Sequence, residues 1–138
     1  MEYVLIGGFA VILYGLGRFT KDVDLLVNPS VENMQRIKRA LQYLPDNAIA
    51  LVADDDVLNY GVVRVGDEIL IDLLGKACAV DFQQVQRVGM EHVEVDGVQI
   101  PIPSKAVLID TKDTYRASDR ADVAFLRALM AEEQKSKP

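Results

Sequence analysis

Residues 4–27 read VLIGGFAVILYGLGRFTKDVDLLV, and how this run is divided decides the fold. Tyr3–Ile6 is a short aliphatic run closed by Gly7-Gly8, the pattern of a buried strand meeting a turn. The following FAVILYG is too apolar for periodicity to arbitrate, and its flanking glycines predict a helix from about Gly8 to Leu16. Asp22–Val27 then reads as a second strand, stopped by Asn28-Pro29-Ser30. That strand carries a puzzle. Side chains alternate along a strand, so Asp22 and Asp24 share one face, about 7 Å apart, while Val23 and Leu25 take the other. Two like charges near a core repel each other unless something neutralises them.

Outward from this stretch, Ser30 is placed as a helix N-cap. Apolar residues at 31, 34, 37, 41 and 44 then have amphipathic helical spacing, up to Pro45. Residues 46–60 are consistent with a short helix and a loop. VVRV, Gly66-Asp67 and EILIDLL predict a hairpin with a tight turn, and Asp96-Gly97 predicts a second one. From Ser104 to Leu129 the pattern is helical, with a break expected near Ala117-Ser118, and the polar tail EEQKSKP is expected to fray. The order β-α-β-α, then hairpins, then helices makes one domain of 138 residues, α/β or α+β. A sheet core would occupy residues 1–100 and a C-terminal helical part residues 101–135.

Composition sets the bounds. Half the residues are hydrophobic, enough for a real core, and the net charge of −6 argues against a broad nucleic-acid coat. The single Cys78 cannot form an internal disulfide and reads as a small buried residue. With no apolar run near the ~18 residues of a membrane span and no signal-peptide pattern at MEYVLIGG, a cytoplasmic protein is expected.

Three features stand beside the paired acids. Asp72 interrupts the apolar EILIDLL, on the face of Leu70 and Leu74, a position that makes sense if its strand lies beside Asp22 and Asp24. Three converging carboxylates suit a hard-oxygen cation such as Mg²⁺, whereas no Cys/His cluster exists for zinc and His92 stands alone as a surface or edge-strand residue. Gly7-Gly8 would let a backbone approach a ligand closely, although it matches no dinucleotide or Walker fingerprint. Arg18, Thr20 and Lys21 add phosphate-binding chemistry that surface solvation explains equally well. Taken by itself, Asp-x-Asp is also what a strand end facing water looks like.

Together, Gly7-Gly8, thirteen residues, Asp22-Val23-Asp24 and a later isolated strand Asp resemble the nucleotidyltransferase superfamily with its polymerase-β-like palm. The nearer likeness is to the small bacterial AbiE-type toxins and the minimal nucleotidyltransferases. Gly7, Gly8, Gly15, Arg18, Thr20, Asp22 and Asp24 carry it, and KDTYRASDRADVAFLRAL (residues 112–129) resembles the family's C-terminal stretch more loosely. Only residues 4–27 are specific. The resemblance implies a palm with a central mixed sheet flanked by helices, and transfer of a nucleoside monophosphate from a triphosphate to an RNA end (tRNA in such toxins) or a protein. Asp22, Asp24 and Asp72 would be catalytic, holding two Mg²⁺ (or Mn²⁺) ions about 3.5–4 Å apart. Gly7, Gly8, Arg18 and Thr20 would receive the triphosphate, with Lys112 and Arg116, at i and i+4 on one helix face, neutralising pyrophosphate. Lys105, Arg120 and Arg127 continue that helical basic spacing, which a solvated helix face also produces.

Two departures bear on this. Ser118 stands where relatives usually carry lysine, and relatives usually have a helix ahead of the first strand, which Met1 here precedes by two residues. An uncovered sheet flank would favour self-association into a homo-oligomer. The alternatives are a degenerate palm that binds nucleotide or a partner without turnover, and an antitoxin-like interaction protein.

Overall fold

A computed structural model of the chain describes residues 1–136. Strand β1 (Tyr3–Ile6) runs directly into helix α1 (Gly7–Leu13), and β2 (Asp22–Val27) returns antiparallel to β1. Helix α2 (Val31–Leu41), a 3-10 turn (Ala48–Leu51) and α3 (Asp56–Tyr60) lead to the hairpin β3 (Val62–Gly66) and β4 (Leu70–Leu74). Helix α4 (Phe82–Val88), a second hairpin of β5 (Met90–Val95) and β6 (Val98–Pro103), α5 (Lys105–Asp110) and α6 (Ala117–Ser136) complete the chain. The protein is mixed α+β. Its four-stranded sheet has the order β1-β2-β4-β3, with β2 and β4 parallel and the outer pairs antiparallel, and β5-β6 form a separate two-stranded sheet.

The alternation of side chains divides the main sheet. Val23, Leu25, Val27, Ile71, Leu73 and Val65 turn to a core closed by Met34 and Ile37 of α2 with Ile49, Val52 and Val57. Burying side chains of that size contributes about 1.5–3 kcal/mol each. Ser30 caps α2, its hydroxyl accepting from the Asn33 amide at 3.2 Å. Buried Asn33 fastens the same corner, accepting from the Glu2 amide (2.7 Å) and donating to the carbonyls of Glu2 (2.9 Å) and Asn28 (2.7 Å). The opposite face of the sheet is apolar only in part. There Val4, Ile6 and Leu26 pack with Ala10, Val11, Phe82, Val85, Ile102, Leu108 and Leu126. The acids occupy the remainder of that face.

Several expectations need correction. Helix α1 ends at Leu13 and α2 at Leu41, each one turn short of the apolar pattern, and Leu44 reaches the core from the turn that follows. The first hairpin does not turn on Gly66-Asp67: Gly66 is the last residue of β3, and Asp67–Ile69 make the connection. The second does turn on Asp96-Gly97, both residues having positive φ, as a tight hairpin of that type requires. The C-terminal helical part begins at Lys105, because Pro101–Pro103 close β6. Its break spans residues 111–116 and lies ahead of Ala117. The tail is helical through Ser136, its last two positions, 137 and 138, lying outside the described residues. Cys78 is exposed, in a turn where its φ is +53°. The β1 flank is not bare: Val4, Leu5 and Ile6 are all buried, among residues that include Val85 of α4 and Ile102 of β6. Among the described residues no helix is long and apolar enough to cross a membrane.

Candidate active site

The parallel pairing of β2 with β4 sets the site. It places Asp24 directly opposite Asp72, and Asp22 one step along the same face. Parallel strands need a long crossover, here α2, the 3-10 turn, α3 and β3, so carboxylates far apart in sequence become cross-strand neighbours. Burial chiefly, then repulsion from Asp72, their shared hydrogen bond and the Asp22 charge, push the Asp24 carboxyl up to about 6, with nearby Lys112 opposing. Asp72 moves the other way. Hydrogen bonds from Arg64 hold it below the usual carboxylate range.

Arg64 was not singled out from sequence, and it is the nearest counter-charge. It stands on β3 opposite Asp72. Its Nε donates to Asp72 Oδ1 (2.8 Å), and its Nη2 donates to Asp72 Oδ2 (3.0 Å) and Asp22 Oδ2 (3.1 Å). Those contacts, the Asp72 hydrogen bond first, raise the Arg64 guanidinium further above its already high pKa. A two-residue turn at Gly66-Asp67 would have opposed Arg64 to Ile69, which hid the contact. The signal available was the pairing of VVRV with EILIDLL; the missing fact was the longer connection.

Gly7 and Gly8 lie against this cluster for a reason internal to the chain. Gly7 has φ +70°, and a Cβ there would run into the Asp24 carboxylate, 2.9 Å from Cγ. A Cβ on Gly8 would come within 2.8 Å of Arg18 Nη2 and 3.2 Å of Thr20 Oγ1. The two glycines thus let β1 and α1 close over Asp24, Arg18 and Thr20.

Lys112 and Arg116 do not share a helix face. Both lie in the connection between α5 and α6, and Lys112 is buried, 5% exposed. Lys112 Nζ is 2.9 Å from Asp122 Oδ2 and 3.4 Å from Asp119 Oδ1. Arg18 reaches the same Asp122 oxygen at 2.8 Å, while Arg116 Nε and the Thr114 hydroxyl donate to Asp119 at 2.9 and 2.6 Å. Among the described residues Asp122 Oδ1 has no hydrogen-bond partner, because both cations converge on Oδ2. Burial works to raise Asp119, but the Arg116 and Thr114 hydrogen bonds and the Lys112 charge outweigh it and leave the carboxyl lowered. Asp119 and Asp122 were not singled out either. Their signal is position: with Leu126 they fall on one buried face of α6, where carboxylates need partners. Ser118 is exposed beside them. His92 is exposed on β5, far in sequence from every one of these groups.

The donor chemistry fits a hard divalent cation: oxygen ligands only, on one face, with Asp24 destabilised as an anion in the free protein. As the side chains stand, no group of three or more His, Cys, Asp or Glu among the described residues is drawn together around an ion position. Asp22 and Asp72 are arranged around Arg64. The larger described groove, about 580 Å³, is lined by Cys78, Gln84, Asp113, Arg120, Arg127 and others, and meets this region only through Lys112 and Thr114. The three acids therefore lie outside it. No protein-family model and no curated protein matches the chain.

Proposed function

We propose that this protein is a divalent-cation-dependent nucleotidyltransferase built on a polymerase-β-like palm. The observation that carries the reading is the register of Asp24 against Asp72 with Asp22 on the same face. Asp22, Asp24 and Asp72 would hold two Mg²⁺ (or Mn²⁺) ions. When bound, the ions would supply Lewis-acid stabilisation of the transferring phosphoryl group and lower the acceptor's pKa.

The reaction would join an acceptor oxygen to the α-phosphorus of a nucleoside triphosphate, expelling pyrophosphate, with the acceptor's proton lost on the way. The chain's own residues would position the reactants, which is most of what phosphoryl chemistry asks of a protein. The backbone of Gly7 borders Asp24, and that of Gly8 borders Thr20, where a triphosphate would lie. Arg116, most of whose side chain is exposed although its Nε is bonded to Asp119, is a cation that could reach phosphate. Arg18 and Lys112 act more by holding α6 and the acid face together than as free phosphate ligands, since each is committed to Asp122. An RNA end or a protein side chain would be the acceptor, in a cytoplasmic toxin–antitoxin setting; self-association loses its support, since the β1 flank is covered.

One observation favours a second reading, a degenerate palm that binds nucleotide or a partner without turnover: Arg64 already neutralises two of the three carboxylates. Thermal melting with each nucleoside triphosphate, with and without Mg²⁺, separates the two when run on wild type and on Asp22→Asn/Asp24→Asn. A ligand at about 100 times its Kd adds about 2.7 kcal/mol. The transferase reading expects a Mg²⁺-dependent shift that the double variant loses, followed by pyrophosphate release once an acceptor is supplied. A triphosphate shift indifferent to both Mg²⁺ and the acids favours the binding module, and no shift with any triphosphate refutes the nucleotide reading.

A further inference from the structure

Among the described residues, Arg64 is the cation that joins two acids of the cluster across three strands. It sits on β3, an edge strand of the main sheet, and its side chain is 56% exposed while that of Asp72 is 16% exposed. Its two bonds to Asp72 form a fork, the geometry in which guanidinium–carboxylate pairs are strongest, and a third bond ties in Asp22. The guanidinium thus uses both oxygens of Asp72 and one of Asp22, leaving Asp24 without a cation in hydrogen-bond contact among the described residues. An incoming ion would need these same oxygens. Exposure gives Arg64 somewhere to go, because it can swing into solvent without leaving a buried cation behind.

We propose that Arg64 is a built-in competitor for the acid face, holding Asp72 and Asp22 in the free protein and setting the divalent-cation concentration at which the site fills. The proposal rests on the reading of Asp22, Asp24 and Asp72 as a cation site. The physical consequence is a penalty on apparent affinity equal to the reciprocal of the fraction of molecules in which the oxygens are free. If Arg64 is engaged about nine-tenths of the time, that penalty is about tenfold. Lysine at this position keeps the charge but cannot make the fork, so it competes less well.

The experiment is a titration of the purified full chain with Mn²⁺ alone, free Mn²⁺ being read by its electron paramagnetic resonance signal. Wild type, Arg64→Gln, Arg64→Lys and Asp72→Asn are compared, with urea denaturation of each to establish that it is folded. The expected result is that Arg64→Gln binds about tenfold more tightly than wild type. Arg64→Lys falls between them, and Asp72→Asn binds more weakly than wild type. Equal or weaker binding by folded Arg64→Gln, with wild type still binding through Asp72, overturns the competitor while leaving the cation site intact. No Mn²⁺ binding by wild type or by either Arg64 variant overturns the site and the competitor together.

Discussion

Replacing Lys112 with methionine tests whether the buried ion network is a unit. Methionine fills much of the space of the lysine stem and deletes its charge, leaving Asp119 and Asp122, 4% and 1% exposed, with fewer partners. Removing one partner of a buried ion pair costs about 3–5 kcal/mol, because the abandoned charge stays desolvated. Here neither acid is abandoned completely: Arg18 remains on Asp122, and Arg116 and Thr114 remain on Asp119. The low end, about 3 kcal/mol, is therefore expected. For a chain of this size the melting temperature should fall by about 10 °C. Urea denaturation of Lys112→Met, Asp122→Leu and the double variant at pH 7 gives the full cycle. In the double variant Asp122 no longer needs a cation, and Arg18, one-third exposed, can turn to water. It should thus be less destabilised than the singles summed, by about 1–3 kcal/mol. A single-variant loss below about 1 kcal/mol, with the cycle additive to within about 0.5 kcal/mol, would show that Arg18 alone satisfies Asp122 and would refute the network.

Two further outcomes follow from the acid face. Asp24 has a folded-state pKa of about 6 against an ordinary 3.8, so the stability it contributes is complete below about 3.8 and lost as pH rises through about 6. Asp24→Asn should therefore be more stable than wild type at pH 7.5 without divalent cations, by about 1–2 kcal/mol after discounting for its partial exposure. Equal melting temperatures at pH 7.5, or a gain as large at pH 4 as at pH 7.5, would contradict the strain assigned to this carboxylate. Gly7→Ala forces a Cβ against Asp24 at positive φ and should cost at least about 2 kcal/mol. Combining it with Asp24→Ala should recover the steric part in chemical denaturation, and no recovery would mean that the backbone angle alone is responsible.

Much of this architecture was legible because the relevant signals are local. The alternation in DVDLLV and EILIDLL assigned the acids to one face of each strand, and the Ser30 cap with the spacing of Met34 and Ile37 placed α2. What was not legible depended on register or on tertiary partners. Arg64 was missed because moving the hairpin connection from Gly66-Asp67 to Asp67–Ile69 shifts its cross-strand partner by three residues, from Ile69 to Asp72. Lys112 was assigned to a helix because Lys112 and Arg116 have helical spacing. The chain instead leaves the helix at Thr111, whose hydroxyl donates to the Leu108 carbonyl at 2.6 Å, and folds Lys112 onto acids one turn into α6. Cys78 reads as a small buried residue, yet it sits exposed in a turn with a left-handed backbone, its sulfur donating to the Thr111 carbonyl at 3.4 Å.

The Arg18–Asp122 pair spans most of the chain, and it has a consequence for how the protein comes into being. On the ribosome Asp22, Asp24 and Arg64 emerge long before Lys112 and the carboxylates of α6. The register that sets Arg64 against Asp72 involves β2, β4 and β3 alone, whereas Arg18 has no Asp122 to hold, and Asp24 lacks the charge of Lys112, until those later residues are made. The buried ion network is thus completed only when α6 docks, after the pairing of β2, β4 and β3 has set Arg64 opposite Asp72 and beside Asp22.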